Sequence, residues 1–95
     1  MDKKEEYRER LEAQFKEWKA KIDSLEARAS TVSSEAKGEL IKEIDELRRK
    51  KTVVKEKWSE LQKSSGEAWE ITKEGVEKAV SELKHAFDKV VSRFK

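Results

Sequence analysis

The chain has 95 residues, of which 46% are charged and 35% apolar, and its 23 Lys and Arg nearly balance its 21 Asp and Glu. This composition suits narrow apolar stripes on long polar helices and excludes a thick two-layer globule. The net charge of +2 argues against a dedicated nucleic-acid-binding protein, and the absence of cysteine excludes disulfides and cysteine-ligated metals.

Apolar side chains in the first two thirds of the chain recur every three or four residues without losing phase. On a helical wheel they fall within a sector of roughly 120°, which is typical of an amphipathic helix. The mean spacing is closer to 3.6 than to 3.5 residues, so we expect little left-handed supercoiling. The predicted core residues in this part are Tyr7, Leu11, Phe15, Trp18, Ile22, Leu25, Leu40, Ile44, Leu47, Val54, Trp58 and Leu61.

A candidate helix break lies at residues 30–34, where every residue except Val32 carries a hydroxyl group. Hydroxyl side chains compete for backbone hydrogen bonds and favour helix ends over helix interiors. The segment contains neither Gly nor Pro, however, and the apolar phase continues through it. The chain therefore has either three helical segments, at about 2–29, 34–62 and 65–94, or one long helix followed by a shorter one.

A firm turn is predicted at residues 63–66, where Ser64 and Glu67 have the spacing of a capping box. The helix after this turn has its own apolar stripe. Its predicted core residues are Trp69, Val76, Ala79, Leu83, Phe87, Val90 and Phe94. We therefore expect a single all-α domain, residues 1–95, built from antiparallel helical segments.

Antiparallel pairing about the two turns brings the stripes together in layers. The predicted layers are Tyr7/Trp58/Trp69, Trp18/Leu47/Ala79, Ile22/Ile44/Leu83 and Leu25/Leu40/Phe87. Close packing favours the large Trp18 opposite the small Ala79. The same layers form in a closed three-helix bundle, or in an intertwined dimer in which two chains merge segments 1 and 2 and exchange the first. The hydroxyl cluster and equal segment lengths favour the bundle, and the unbroken phase favours the dimer. Of the two, we favour the dimer.

Few residues in this sequence are candidates for catalysis or for metal binding. Glu82 and His85 have the Glu-x-x-His spacing of di-iron bundle helices, but His85 is the only histidine and lies roughly 160° around the helix from Leu83. We therefore predict no catalytic residue, no metal and no cofactor. The basic run at residues 48–51 is spread around the helix among acidic residues, and we interpret it as a solvated face.

The leading functional hypothesis is a non-enzymatic structural or interaction module that self-associates through the predicted core residues. Its expected partner is a second copy in a homodimer, or else another helical protein or a membrane surface, and no nucleic acid is expected. The alternative is a peripheral, apolipoprotein-like lipid-surface binder, because Trp18, Trp58 and Trp69 share the apolar face with lysines such as Lys73 at its margin. No stretch approaches the roughly 20 apolar residues of a membrane span, so we expect a soluble, cytoplasmic protein.

Residues 64–79, with the sequence SSGEAWEITKEGVEKA, and residues 87–94, FDKVVSRF, resemble a widespread set of small bacterial proteins. These are described only as coiled-coil-domain-containing. Tyr7 and the run 11–25, which includes WKAKID, are similar too, so the resemblance covers nearly the whole chain. It implies a bacterial, cytosolic, helical protein, and it implies no activity for any residue. The relatives look Ala-rich where this chain has residues 30–34.

Overall fold

A computed structural model describes residues 3–94, which form three helices joined by two short connections. The helices are α1 (Lys3–Ala29), α2 (Ser34–Lys63) and α3 (Glu67–Arg93). They pack side by side into a bundle of 51 × 21 × 18 Å, and the described residues include no strand. The prediction of an all-α helical bundle is therefore confirmed. Asp2, where the first predicted segment begins, lies outside the described residues, as do Met1 and Lys95.

The first connection is a turn within the chain, so the favoured continuous helix through residues 30–34 is wrong for this structure. The hydroxyls of Ser30 and Thr31 donate to the carbonyls of Ala27 and Arg28 at 2.7 and 2.8 Å, and their backbone amides bond to the same carbonyls. These bonds occupy the backbone amides and carbonyls that would otherwise form the next turn of α1. Ser33 is the N-cap of α2 in extended backbone. The hydroxyl cluster therefore ends one helix and begins the next, and the closed bundle is the arrangement observed.

The second connection turns at the predicted place by a different mechanism, and the predicted capping box is wrong. Ser64 belongs to α2, because it is the C-cap of that helix and its hydroxyl donates to the carbonyl of Leu61 at 2.8 Å. The N-cap of α3 is Gly66, with φ of 61° and ψ of −134° and no side-chain cap. Residues with a Cβ rarely adopt this conformation, so the direction of the turn depends on the glycine.

Two glycines provide a matched test of this backbone argument. A Cβ at Gly66 or at Gly38, within α2, would meet no atom within 4 Å. Gly66→Ala should nevertheless destabilise the protein by about 1–3 kcal/mol because of its positive φ. Gly38→Ala should stabilise it by about 0.5–1 kcal/mol because alanine loses less entropy in a helix. Thermal unfolding followed by circular dichroism measures both, and melting temperatures that shift in the same direction would contradict the explanation.

The core occupies the length of the bundle and contains no buried polar residue in the described part of the chain. Every predicted core residue is buried or half-buried. The buried residues form two clusters. The larger cluster contains the three predicted layers built on Leu47, Ile44 and Leu40, and the smaller cluster lies where α1 begins and α2 ends. The fully buried large side chains are Leu40, Leu47, Val54, Leu61, Val76, Leu83 and Val90.

Helices α1 and α3 are separated more widely than either is from α2. Between residues 3 and 94, no Cα atom of α1 lies within 8 Å of one in α3, whereas α2 approaches both helices. The distance between packed helices depends on the side chains at the contact. Tyr7 and Trp69 meet across the α1–α3 seam with ring centroids 6.1 Å apart. On the α2 side, α3 presents the small residues Gly75 and Ala79. The bundle is therefore tightest between α2 and α3.

Candidate functional site: the aromatic end of the bundle

One end of the bundle carries a cluster of three aromatic rings, one from each helix. The ring centroid of Tyr7 lies 6.0 Å from that of Trp58 and 6.1 Å from that of Trp69, with tilted and edge-on geometries. Such pairs stabilise a fold by about 0.5–1.5 kcal/mol beyond the area that they bury. Tyr7 is buried, whereas both indoles are half-buried. This is the predicted top layer, and Tyr7 is the residue that joins its members.

Two lysine side chains lie over these rings. The Nζ atom of Lys73 is 5.3 Å from the Tyr7 centroid and 5.2 Å from the Trp69 centroid, and that of Lys4 is 5.5 Å from the Trp69 centroid. Ammonium groups at this distance are attracted to the negative face of an aromatic ring. The spacing explains the placement, because Lys73 follows Trp69 by one helical turn. The aromatic end therefore has a cationic edge.

A surface pocket of about 320 Å³ opens at this end. Its apolar walls are the indoles of Trp58 and Trp69, and Leu61 lies beneath them with no surface accessible to solvent. The polar side chains that complete the lining are those of Lys4, Glu5, Arg8, Gln62 and Ser64. The pocket exists because α1 begins beside the turn between α2 and α3, where the helix ends leave both indoles incompletely covered.

The hydroxyl of Tyr7 is the group whose ionisation the fold changes most clearly. Burial raises the pKa of Tyr7 to about 12 from its usual 10.0, the carboxylate of Glu77 adds to the rise, and the guanidinium of Arg10 opposes it. A raised pKa in the folded state means that this state holds its proton more tightly than the unfolded chain does. The resulting stability is fully present below about pH 10 and is lost as the pH rises towards about 12.

Tyr7→Phe should remove this alkaline sensitivity. The phenylalanine keeps the ring contacts, so the variant should match the wild type in stability near neutral pH. Between about pH 10 and 12 the wild type should lose up to about 2 kcal/mol relative to the variant. Urea unfolding at a series of pH values measures the difference, and lysine titration cancels because both proteins share it. Parallel pH profiles would contradict the assignment.

The Glu82–His85 pair lines a surface pocket between α2 and α3 together with two carboxylates of α2. His85 is exposed on α3, away from the core, as predicted from its position on the wheel. No group of three or more potential metal-ligating side chains that could hold a metal ion occurs among residues 3–94. In the basic run, Arg48 bonds to Glu26 of α1 and Arg49 lies 3.1 Å from Glu46, so these cations are engaged with neighbouring carboxylates.

Sequence reasoning identified the aromatic residues of this end as core and missed the pocket between them. Arg8 and Lys4 were not singled out, because both lie outside the apolar stripe. A signal was available: Lys4 precedes Tyr7 by three residues, so both occupy neighbouring places on one helix face. Arg8 follows Lys4 by one helical turn, so the two cations form a row beside Tyr7, the first aromatic residue of the chain.

No described helix is both long enough and apolar enough to cross a membrane. Comparison of the chain with protein-family models, with curated proteins and with solved structures gives no match in any of the three.

Proposed function

We propose that this protein is a non-enzymatic helical interaction module that self-associates when two copies exchange α1. The connection at residues 30–33 carries the proposal. It contains no Gly and no Pro, and the described chain has positive φ only at Gly66. The apolar stripe also keeps its phase from Ala29 through Val32 to Ala36. The same segment is therefore compatible with a turn or with helix, and a switch between them converts a closed bundle into an exchanged dimer.

The packing of α1 supports this choice of exchanged segment. Its backbone approaches only α2, and it reaches α3 through long side chains. Its charged contacts with α2 are exposed ones, such as that between Glu26 and Arg48, and exposed ion pairs contribute little. In an exchanged dimer, α1 of one copy would occupy the same place on the other, so the core layers and these contacts would be kept.

Sedimentation of the wild type at increasing concentration tests the proposal. The closed chain has a mass of 11.1 kDa and a longest dimension of 51 Å. An exchanged dimer would contain merged helices of about 60 residues, each about 90 Å long. We expect the mass to double with concentration and the product to be elongated. A monomer up to millimolar concentration would overturn the proposal.

The proposed self-association would take place in the cytoplasm of a bacterium, as the resemblance implies.

A second candidate function is peripheral binding to a lipid surface, and the aromatic end favours it. Half-buried Trp58 and Trp69 lie beside Lys4 and Lys73, which is the combination of amphipathic rings and cations that suits a membrane interface. Co-sedimentation with phosphatidylglycerol vesicles and a blue shift of tryptophan emission would support it. Vesicle binding by a protein that remains monomeric would place lipid binding ahead of self-association.

A further inference from the structure

The pocket at the aromatic end has the dimensions and lining of a small-molecule site. Its volume of about 320 Å³ is at the lower end of the range found for ligand pockets, which are mostly apolar with a few polar groups at fixed positions. Trp58 and Trp69 supply the apolar walls. The fit is to a flat or narrow apolar group, because both walls are aromatic rings.

The charged side chains around the pocket favour a negatively charged ligand. Lys4 and Arg8 line it together with one carboxylate, that of Glu5, and the Nζ atom of Lys73 lies over the rings of Trp69 and Tyr7. The Nε atom of Arg8 forms an ion pair with Glu12 at 3.9 Å, which engages one of the several N–H groups of the guanidinium, and its side chain is 51% exposed. Its guanidinium therefore has donors available to an anion.

We propose that this pocket binds a small amphiphilic anion. Its aromatic or alkyl body would lie between Trp58 and Trp69, and its carboxylate or sulfonate would face Arg8. This site is independent of self-association, because α1 contributes the same residues to it in a closed bundle and in an exchanged dimer. The ligand class follows from the apolar walls and the cationic rim together.

Binding of 8-anilinonaphthalene-1-sulfonate, with laurate as competitor, tests the proposal. We expect saturable probe fluorescence, quenching of tryptophan emission and displacement by laurate. Arg8→Gln should weaken probe binding about three- to fivefold, the effect of losing one exposed charge contact of up to about 1 kcal/mol. The control is Arg49→Gln, which removes a guanidinium of α2 that is 72% exposed and does not line this pocket, and it should leave binding unchanged. Equal affinities of the two variants would overturn the proposal.

Trp69→Leu tests the apolar wall separately. It should weaken both ligands about tenfold or more. Loss of the ring pair with Tyr7 should lower the unfolding midpoint by several degrees, but the far-ultraviolet circular dichroism at 25 °C should stay that of the wild type, which excludes probe binding to a loosened core. If Trp69→Leu and Arg8→Gln bind as the wild type does, or if no probe binds at all, the site is wrong. Binding to phosphatidylglycerol vesicles with no affinity for monomeric laurate would also overturn it in favour of a membrane surface.

Discussion

Replacing Ser30, Thr31 and Ser33 with alanine should convert the protein into an elongated dimer. The change removes the hydroxyl groups that end α1 and cap α2. Each alanine favours the helix by about 0.5 kcal/mol, and loss of the N-cap destabilises the turn by about 1 kcal/mol. Because two chains carry these changes, the dimerisation constant should rise by roughly several thousandfold. Sedimentation should report twice 11.1 kDa, and small-angle scattering a particle far longer than 51 Å.

Two controls make this experiment selective. Ser33→Pro removes the same N-cap, which costs the turn about 1 kcal/mol, but a proline within a merged helix costs about 3 kcal/mol. Because φ at Ser33 is −62°, close to that of proline, the variant should still hold the turn closed. Ser64→Ala with Ser65→Ala removes hydroxyls from the other turn and should leave the mass unchanged, since Gly66 keeps that turn. If the alanine variant at residues 30–33 and the Ser33→Pro variant have the same mass at every concentration, exchange through this turn is refuted.

Leu83→Asp should unfold the protein, whereas His85→Ala, two residues further on, should be silent. Leu83 is fully buried in the larger core cluster, where the described residues offer no buried polar partner. An unpaired buried charge costs about 3–5 kcal/mol, which is comparable with the whole stability of a small domain. His85 is exposed. Circular dichroism should show loss of helix at 25 °C for Leu83→Asp only.

A retained fold in Leu83→Asp would contradict the observed packing of α3 on α2. Leu83→Ala provides an intermediate, since it leaves a cavity without a charge and should cost about 2–5 kcal/mol. The order wild type, His85→Ala, Leu83→Ala, Leu83→Asp is therefore the expected order of decreasing stability, with the first two equal.

The sequence by itself determined nearly all of the core: among the described residues that are buried, Ala29 alone was not among the predicted core residues. Burial of one helix face requires apolar residues every three or four positions, and this spacing can be read without knowledge of the neighbouring helices. Leu47 and Leu83 were predicted to share a core with their partners in adjacent layers, and all belong to the larger cluster. The meeting of Tyr7 with Trp58 and Trp69 followed from the same antiparallel register.

Only the tertiary structure decided how the chain reverses direction at its two turns and which residues line the pocket at the aromatic end. At residues 30–33 the local preferences for turn and for helix nearly balance, so the choice depends on whether α1 packs on α2 of its own chain, which is held nearby by a short connection. At residues 64–66, Ser64 completes α2 instead of capping α3, because the carbonyl of Leu61 lies within reach of its hydroxyl. The pocket beside Arg8 depends on how three helix ends come together. Periodicity describes the sides of helices and carries no information about their ends.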